Sequence, residues 1–157
     1  MFRAGAFMVS SREYPERPVV GVGGVVIEQG RALLIRRGGE PLKGQWSIPG
    51  GTLETGETLE EGTRREMEEE TGLLVRVVEL IEVFERIFRE EGEDERRPHY
   101  HFVIMDYLCE RISGEPRAGG DVTDVAWVAE HDLFAYHLTP TATRILKKAF
   151  AMANSRP

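Results

Sequence analysis

Four of the five residues from 66 to 70, in the stretch REMEEETG, are glutamates. A solvated helix face is the simplest explanation of such a run in a chain that is 30% charged. Like charges at (i, i+4) spacing, however, destabilise a helix by about 0.2–0.5 kcal/mol per pair. At about 100° per residue, Glu66, Glu69 and Glu70 share one arc of a helix, which overlaps the side carrying its apolar residues. Glu68 points away from that side, and we interpret it as a surface residue.

Carboxylates that face the protein body must be neutralised by a raised pKa, by arginines or by a cation, because a buried unpaired charge is very unfavourable. Mg²⁺ prefers oxygen ligands and commonly bridges a few carboxylates to phosphate groups. Gly50 and Gly51 lie just upstream, and a glycine carbonyl can come close because glycine carries no side chain. The pattern therefore favours a divalent-metal site. We interpret Glu57 and Arg65 as an ion pair that braces the loop against the helix.

The helix that carries these acids has clear boundaries in the sequence. Thr58 and Glu61 have the spacing of a capping box, in which each side chain accepts a hydrogen bond from the other residue's backbone N–H. Gly72 fits the left-handed stop that follows many helices. The helix is therefore predicted to run from about Leu59 to Thr71.

Strands are predicted on both sides of this helix. The first two are typical of a hairpin joined by the turn Gln-Gly, and the segment after the helix is typical of one long bent strand or two short ones. A second helix is predicted to begin at Thr139-Pro140, with proline at its first position. The strands are predicted at 19–28, 31–37, 73–90, 99–111 and 125–130, with loops at 90–98 (expected to be mobile) and 114–124. This order favours an α+β or mixed α/β structure in which helices cover a sheet.

Composition excludes several classes of function. The chain has 157 residues, a formal net charge of −7 and no run of eighteen apolar residues, which argues against non-specific nucleic-acid binding and against a membrane span. No signal peptide is recognisable, so a cytoplasmic location is expected. We expect one domain over residues 1–157, with 1–17 as an N-terminal extension, and we interpret the single cysteine, Cys109, as a core residue. A homodimer is the favoured assembly, because two-fold homodimers are the commonest oligomers.

The stretch GTLETGETLEEGTRREMEEETGL, from 51 to 73, resembles the signature of the Nudix (MutT-type) hydrolases. That signature is a glycine, five residues, a glutamate, seven residues, and then Arg-Glu-aliphatic-x-Glu-Glu-x-Gly-aliphatic. The resemblance extends over about 18–150, because the order of strands is also similar. The matching positions are Gly51, Glu57, Arg65, Glu66, Met67, Glu69, Glu70, Gly72 and Leu73.

The resemblance implies an α/β/α sandwich with a mixed sheet flanked by helices. It also implies a Mg²⁺- or Mn²⁺-dependent pyrophosphohydrolase that acts on a nucleoside diphosphate linked to another group. Glu66, Glu69 and Glu70 would then hold the metal together with the Gly51 carbonyl. One of these carboxylates, or an acid outside the signature, would deprotonate the attacking water. Such an added acid often precedes a late strand in the family, and here Asp121 fits that place, with Asp124 as its competitor and a plain turn residue as the alternative for both.

The substrate is less clearly encoded. Arg36 and Arg37 face opposite ways at the end of a strand, so one is expected to reach a substrate phosphate, and we favour Arg36. Five aromatic residues could stack a base, although aromatics in strands are more often core residues: Trp46, Phe84, Phe88, Tyr100 and Phe102.

Three functional hypotheses follow for this chain. The first is a pyrophosphohydrolase of ADP-ribose or a related nucleotide sugar, although the proline often associated with ADP-ribose specificity is absent from 85–95. The second is a nucleoside triphosphate pyrophosphohydrolase that removes damaged nucleotides. The third is a non-catalytic nucleotide-binding regulator, against which the complete set of glutamates argues.

Overall fold

The computed structural model describes residues 12–90 and 97–157. The first two strands of this part form a hairpin. Strand β1 (Val19–Glu28) turns into strand β2 (Arg31–Arg37). Gln29 and Gly30 form the turn, with φ values of 51° and 75°. Two successive positive φ values are those of the tight turn that matches the twist of a hairpin, so the predicted hairpin is confirmed.

Within the described residues, seven strands form one mixed sheet. After β1 and β2 come β3 (Trp46–Ser47), β4 (Gly50–Thr52), β5 (Leu74–Phe88), β6 (Tyr100–Ser113) and β7 (Val122–Ala129). The strand order is β3-β2-β1-β6-β5, with β4 paired to β1 and β7 paired to β2. Strands β1 and β6 are parallel, whereas the other pairs are antiparallel.

Helix α1 (Leu59–Thr71) has the predicted boundaries. Glu61 N donates to Thr58 Oγ1 at 3.1 Å, and Thr58 N donates to Glu61 Oε2 at 2.9 Å, so the capping box is formed. Gly72 ends the helix with a φ of 75°. Helix α2 (Pro140–Asn154) begins at the predicted proline and follows a 3-10 helix at Glu130–Tyr136.

The two faces of the sheet bury separate cores, as strand alternation requires. Val25 packs with Leu34 and Ile145 on the face that α2 covers. Val26, the next residue, packs with Met67 on the face that α1 covers. The fold is therefore an α/β/α sandwich, as the resemblance implied. Cys109 is buried in the second of these cores, where its interpretation as a core residue placed it.

Two predicted segments differ from the structure in detail. The segment predicted as one bent strand or two is a single strand, β5, and its pairing with β6 shifts register near Val77 and Leu80. The loop predicted over 114–124 is too long, because β7 already begins at Val122. Asp124 is therefore a strand residue opposite Arg36, and its interpretation as a turn residue was wrong.

Parts of two other predicted segments lie outside the described residues. Of the N-terminal extension, residues 1–11 are outside them. The described part contacts the residue just before β6, because Tyr14 N donates to His99 O at 2.8 Å. The loop predicted to be mobile, 90–98, falls mostly on residues 91–96, which are also outside. Across the described ranges, no helix has the length and apolar character needed to cross a bilayer.

Candidate active site

The acidic side of α1 lies against β4, where two glycines leave the backbone without side chains. Glu66 is only 9% exposed. A Cβ atom on Gly51 would lie 2.5 Å from the carboxylate carbon and both carboxylate oxygens of Glu66. Glycine at this position therefore lets the carboxylate lie directly against the strand backbone.

Glu70 is held by the neighbouring glycine. Its Oε1 accepts a hydrogen bond from Gly50 N at 2.8 Å. Burial raises the pKa of Glu70 to about 7, which the Gly50 N–H opposes and the charge of Glu66 reinforces. Burial also raises the pKa of Glu66, against the effect of its hydrogen bond from Arg65. Both acids therefore sit where extra positive charge would be strongly favoured.

Arg65 is the cation that organises this cluster. Its Nε and Nη2 donate to the two carboxylate oxygens of Glu57 at 2.6 and 2.8 Å, and Nη2 also donates to Thr52 O at 3.0 Å. This fork lowers the pKa of Glu57 to about 2. Nη1 donates to Glu66 Oε1 at 2.8 Å. The ion pair inferred from the sequence is present, and it links the loop before α1 to the acid that faces Gly51.

Glu69 is the least constrained of the three acids. Its side chain is 54% exposed, and its contact with Arg65 Nη1 is longer, at 3.3 Å. Across residues 12–90 and 97–157, no three acidic, His or Cys side chains converge on one point closely enough to hold a metal ion. The reason lies in the partners just described, because Glu66 is turned toward Arg65 and Glu70 toward Gly50.

The donor set nevertheless fits a hard divalent cation. Every candidate ligand is an oxygen, from the carboxylates of Glu66, Glu69 and Glu70 and from the Gly51 carbonyl, which is the ligand type that Mg²⁺ and Mn²⁺ prefer. The close approach at Gly51, which a Cβ would fill, shows that the strand is shaped around the Glu66 carboxylate.

A cavity of about 540 Å³ extends from these acids across the sheet. Arg37 and Asp121 line it, whereas Arg36 and Asp124 do not. Arg37 is half-buried, and its desolvation lowers its pKa, while the charges of Glu70 and Asp121 oppose that effect. Arg36 is exposed, and its Nε donates to Gly44 O at 2.9 Å. The structure thus brings Asp121 to the acid cluster but not Arg36, and it brings Arg37 in its place.

The far part of the cavity contains residues that were not predicted as site residues from the sequence. Asp106, 3% exposed, lies on β6, and Arg86 lies on β5. Arg12 stacks its guanidinium over the Phe102 ring, 5.6 Å from the ring centroid. All of these line the cavity. Arg86 pairs with Phe102 and Asp106 pairs with Gly23. These pairings join distant segments and leave no signal within either strand that could have revealed the residues.

The aromatic residues considered as base-stacking groups divide into two sets. Phe84, Phe88 and Phe102 line the cavity. Trp46 packs edge-on against Tyr136, with ring centroids 5.1 Å apart, at the margin of the core beneath α2. Tyr100 is buried behind Phe102. The cavity therefore joins an acidic end to an end with aromatic walls.

The family of the chain follows from comparison with known proteins. A family model described as NUDIX domain matches residues 16–150. The chain belongs to the NUDIX domain family. As a member of this family, the chain is a Nudix hydrolase. The regulator hypothesis is therefore not favoured.

Individual relatives carry different names. An "ADP-ribose pyrophosphatase" from Methanocaldococcus jannaschii is 36% identical over 107 residues, which cover 68% of this chain and 59% of that protein, about three fifths of its length. "Nucleoside triphosphatase NudI" from Escherichia coli O139:H28 is 30% identical over 106 residues, which cover 66% of this chain and 75% of that protein. The crystal structure of a MutT Nudix hydrolase from Burkholderia pseudomallei has a TM-score of 0.73 and 34% identity, and it covers 85% of this chain and 98% of its own.

Proposed function

We propose that this Nudix hydrolase cleaves the P–O–P bridge of ADP-ribose or a related nucleotide sugar, and that it releases a nucleoside monophosphate and a sugar phosphate. The observation that carries the proposal is the two-part cavity, in which the acidic end next to Gly51 and the end with aromatic walls are continuous. A diphosphate with an organic group on each side needs both parts. The name of the M. jannaschii relative supports ADP-ribose as the first substrate to test.

Glu66, Glu69, Glu70 and the Gly51 carbonyl would hold the Mg²⁺ or Mn²⁺ ions. A divalent ion supplies two effects at such a site: it lowers the pKa of water and it stabilises charge on phosphate oxygens. Arg65 sets the position of Glu66 through its Nη1, and Glu57 in turn fixes the plane of the guanidinium.

Glu70 is the residue that we assign as general base. Its Oε1 is engaged by Gly50 N, which leaves Oε2 to accept a proton from water. Water oxygen forms a bond to one phosphorus, the bridging P–O bond breaks, and the leaving phosphate takes the electron pair. Arg37 and, at the loop before β7, Asp121 flank the cavity where the phosphates would lie.

A substrate panel tests the proposal. ADP-ribose, diadenosine polyphosphates, 8-oxo-dGTP and nucleotide sugars are assayed with Mg²⁺ and with Mn²⁺, and the products are identified. Cleavage of ADP-ribose to AMP and ribose 5-phosphate is expected. Glu70→Gln should lower the rate by orders of magnitude, whereas the matched change Glu68→Gln, on the exposed side of the same helix, should leave it unchanged. Full activity of Glu70→Gln would remove the assigned role.

The second candidate is a nucleoside triphosphate pyrophosphohydrolase. The E. coli relative named as a nucleoside triphosphatase favours it. Release of pyrophosphate from 8-oxo-dGTP, with no turnover of ADP-ribose, would establish this activity and overturn the first proposal. A homodimer stays a prediction for either activity.

A further inference from the structure

Asp106 differs from the other buried polar residues of the described chain. Thr63 and Thr71 donate to carbonyl groups of α1, and Glu66 accepts from Arg65. Asp106 is 3% exposed. The pKa of its carboxyl group is set by burial and by the charges of Arg86 and Glu82, and not by a hydrogen bond. No fully buried side-chain oxygen or nitrogen of the described residues lacks a hydrogen-bond partner, so the carboxyl oxygens of Asp106 reach the cavity that this residue lines. A donor group on a ligand in the cavity can therefore approach them.

The backbone makes room for this carboxyl group. Gly23 pairs with Asp106 across the parallel strands β1 and β6. A Cβ atom on Gly23 would lie 2.4 Å from Asp106 Oδ1 and 2.8 Å from Pro49 O. Only glycine at this position leaves the carboxyl group open to the cavity, which both residues line.

The same glycine ties Asp106 to the acid cluster. Gly23 also pairs with Gly50 on its other side, and Gly50 N holds Glu70. Asp106 and Gly50 are thus two strand spacings apart, about 10 Å between their backbones. Asp106, Glu66 and Glu70 all line one cavity. A diphosphate seated at Glu66 and Glu70 can therefore extend one of the organic groups that it joins along this cavity to Asp106.

The surroundings of Asp106 suit a sugar or a base more than a further phosphate. Phe84, Phe102 and Ile104 provide apolar surface in the same cavity, and Arg86 is the cation whose charge acts on Asp106. Burial raises the pKa of Asp106 to about 7, which Arg86 opposes. A group of this kind, whether neutral or ionised, accepts a hydrogen bond from a hydroxyl or amino donor.

We propose that Asp106 is a specificity-determining residue that accepts a hydrogen bond from a hydroxyl or amino group on one of the two organic groups joined by the diphosphate. This inference rests on the proposed function. The donor belongs either to the nucleoside or to the second sugar, and the two products of ADP-ribose cleavage separate these sources.

The test compares Asp106→Asn and Asp106→Leu with the wild type and with a matched control, Glu82→Gln. Glu82 lies opposite Asp106 on β5, but its carboxylate is bound by Arg144 and does not line the cavity. Binding of AMP and of ribose 5-phosphate is measured by calorimetry, and kcat/KM is measured for ADP-ribose. Asp106→Leu is expected to lose about 10- to 100-fold in affinity for one product and in kcat/KM. Its kcat should change less than its KM, and Glu82→Gln should match the wild type.

Each outcome decides the matter. Weaker binding of AMP alone identifies the nucleoside as the donor, and weaker binding of ribose 5-phosphate alone identifies the second sugar. Unchanged affinity for both products in Asp106→Leu overturns the inference. A fall in the melting temperature of Asp106→Asn, with equal losses for both products, also overturns it, because that result describes a structural residue. If the wild type cleaves none of the diphosphates, the proposed function fails, whereas the product-binding comparison still decides the role of Asp106.

Discussion

Gly51→Ala tests whether the close approach of β4 to Glu66 is needed for activity. The new Cβ would lie 2.5 Å from the Glu66 carboxylate, whereas ordinary van der Waals contact begins at 3.4 Å. The carboxylate must therefore move by about 1 Å. A misplacement of about 1 Å at a reacting centre lowers rates by about 100-fold, equivalent to about 2.7 kcal/mol of transition-state stabilisation. Stability should change little, because the carboxylate can move toward the cavity.

The assay is kcat/KM for the preferred substrate over a titration of Mg²⁺, with the melting temperature as the control for folding. A second variant sharpens the test: Glu66→Asp shortens the side chain by one methylene and relieves the clash. Gly51→Ala should therefore lower kcat/KM much less in the Glu66→Asp background than in the wild type, which is a coupling between adjacent sites. Wild-type kcat/KM for Gly51→Ala, or additive losses in the double variant, would refute this account of the strand.

Three further predictions address the neighbouring residues. Arg37→Ala should raise KM and lower kcat/KM by about 10- to 100-fold, because Arg37 lines the cavity. In the control Arg36→Ala, kcat/KM should stay within about twofold of the wild-type value, because Arg36 lies outside the cavity and contacts Gly44 O. Equal effects of the two variants in steady-state assays would contradict this prediction. Glu57→Gln should lower kcat/KM, because it weakens the bidentate contact with the Arg65 guanidinium. Glu54→Gln should not, because the contact of Glu54 with Arg65 is exposed and 3.8 Å long. An equally large loss of kcat/KM in Glu54→Gln would contradict the bracing role of the Glu57–Arg65 ion pair. Without divalent ions, the free energy of unfolding should fall as pH rises from about 4.5 to above 7, because the raised pKa of Glu70, about 7, favours its protonated form in the folded state. The expected fall is on the order of 3 kcal/mol. Urea titrations with a chelator should show a flatter pH profile for Glu70→Gln than for the wild type.

Helix α1 was predictable to the residue because its boundaries are set by local chemistry. The hydroxyl of Thr58 and the carboxylate of Glu61 cap one end, and the left-handed Gly72 closes the other. These interactions involve residues at most four apart and need no knowledge of the remaining fold. The arc shared by Glu66 and Glu70 follows from the same regular geometry.

The arginine of the cavity could not be chosen from strand periodicity alone. Alternation shows that Arg36 and Arg37 face opposite sides of β2 but not which side carries the acids. The structure decides this, because Leu33 packs against Met67 of α1 and Arg37 shares the face of Leu33. The choice between two neighbours thus depended on a contact between separate elements.

Asp106 was hidden for a different reason. It is an acid inside the apolar run from Phe102 to Cys109, and its position next to Gly23 exists only through the parallel pairing of β1 with β6. Neither residue carries a local mark of this contact. Pairings between distant segments leave no periodic signal within either segment, so the far end of the cavity was outside the reach of the sequence.

The parallel pairing of β1 with β6 also affects how the chain is made. During synthesis from the N-terminus, β1 and β2 can meet early, because a tight turn joins them. The partner of the other edge, from Phe102 to Cys109, emerges from the ribosome much later. Until then, the peptide groups of β1 that β6 will engage have no strand beside them, and such an edge is a template for association between chains. Nascent or truncated chains that end before β6 should therefore be the forms of this protein that aggregate and engage chaperones.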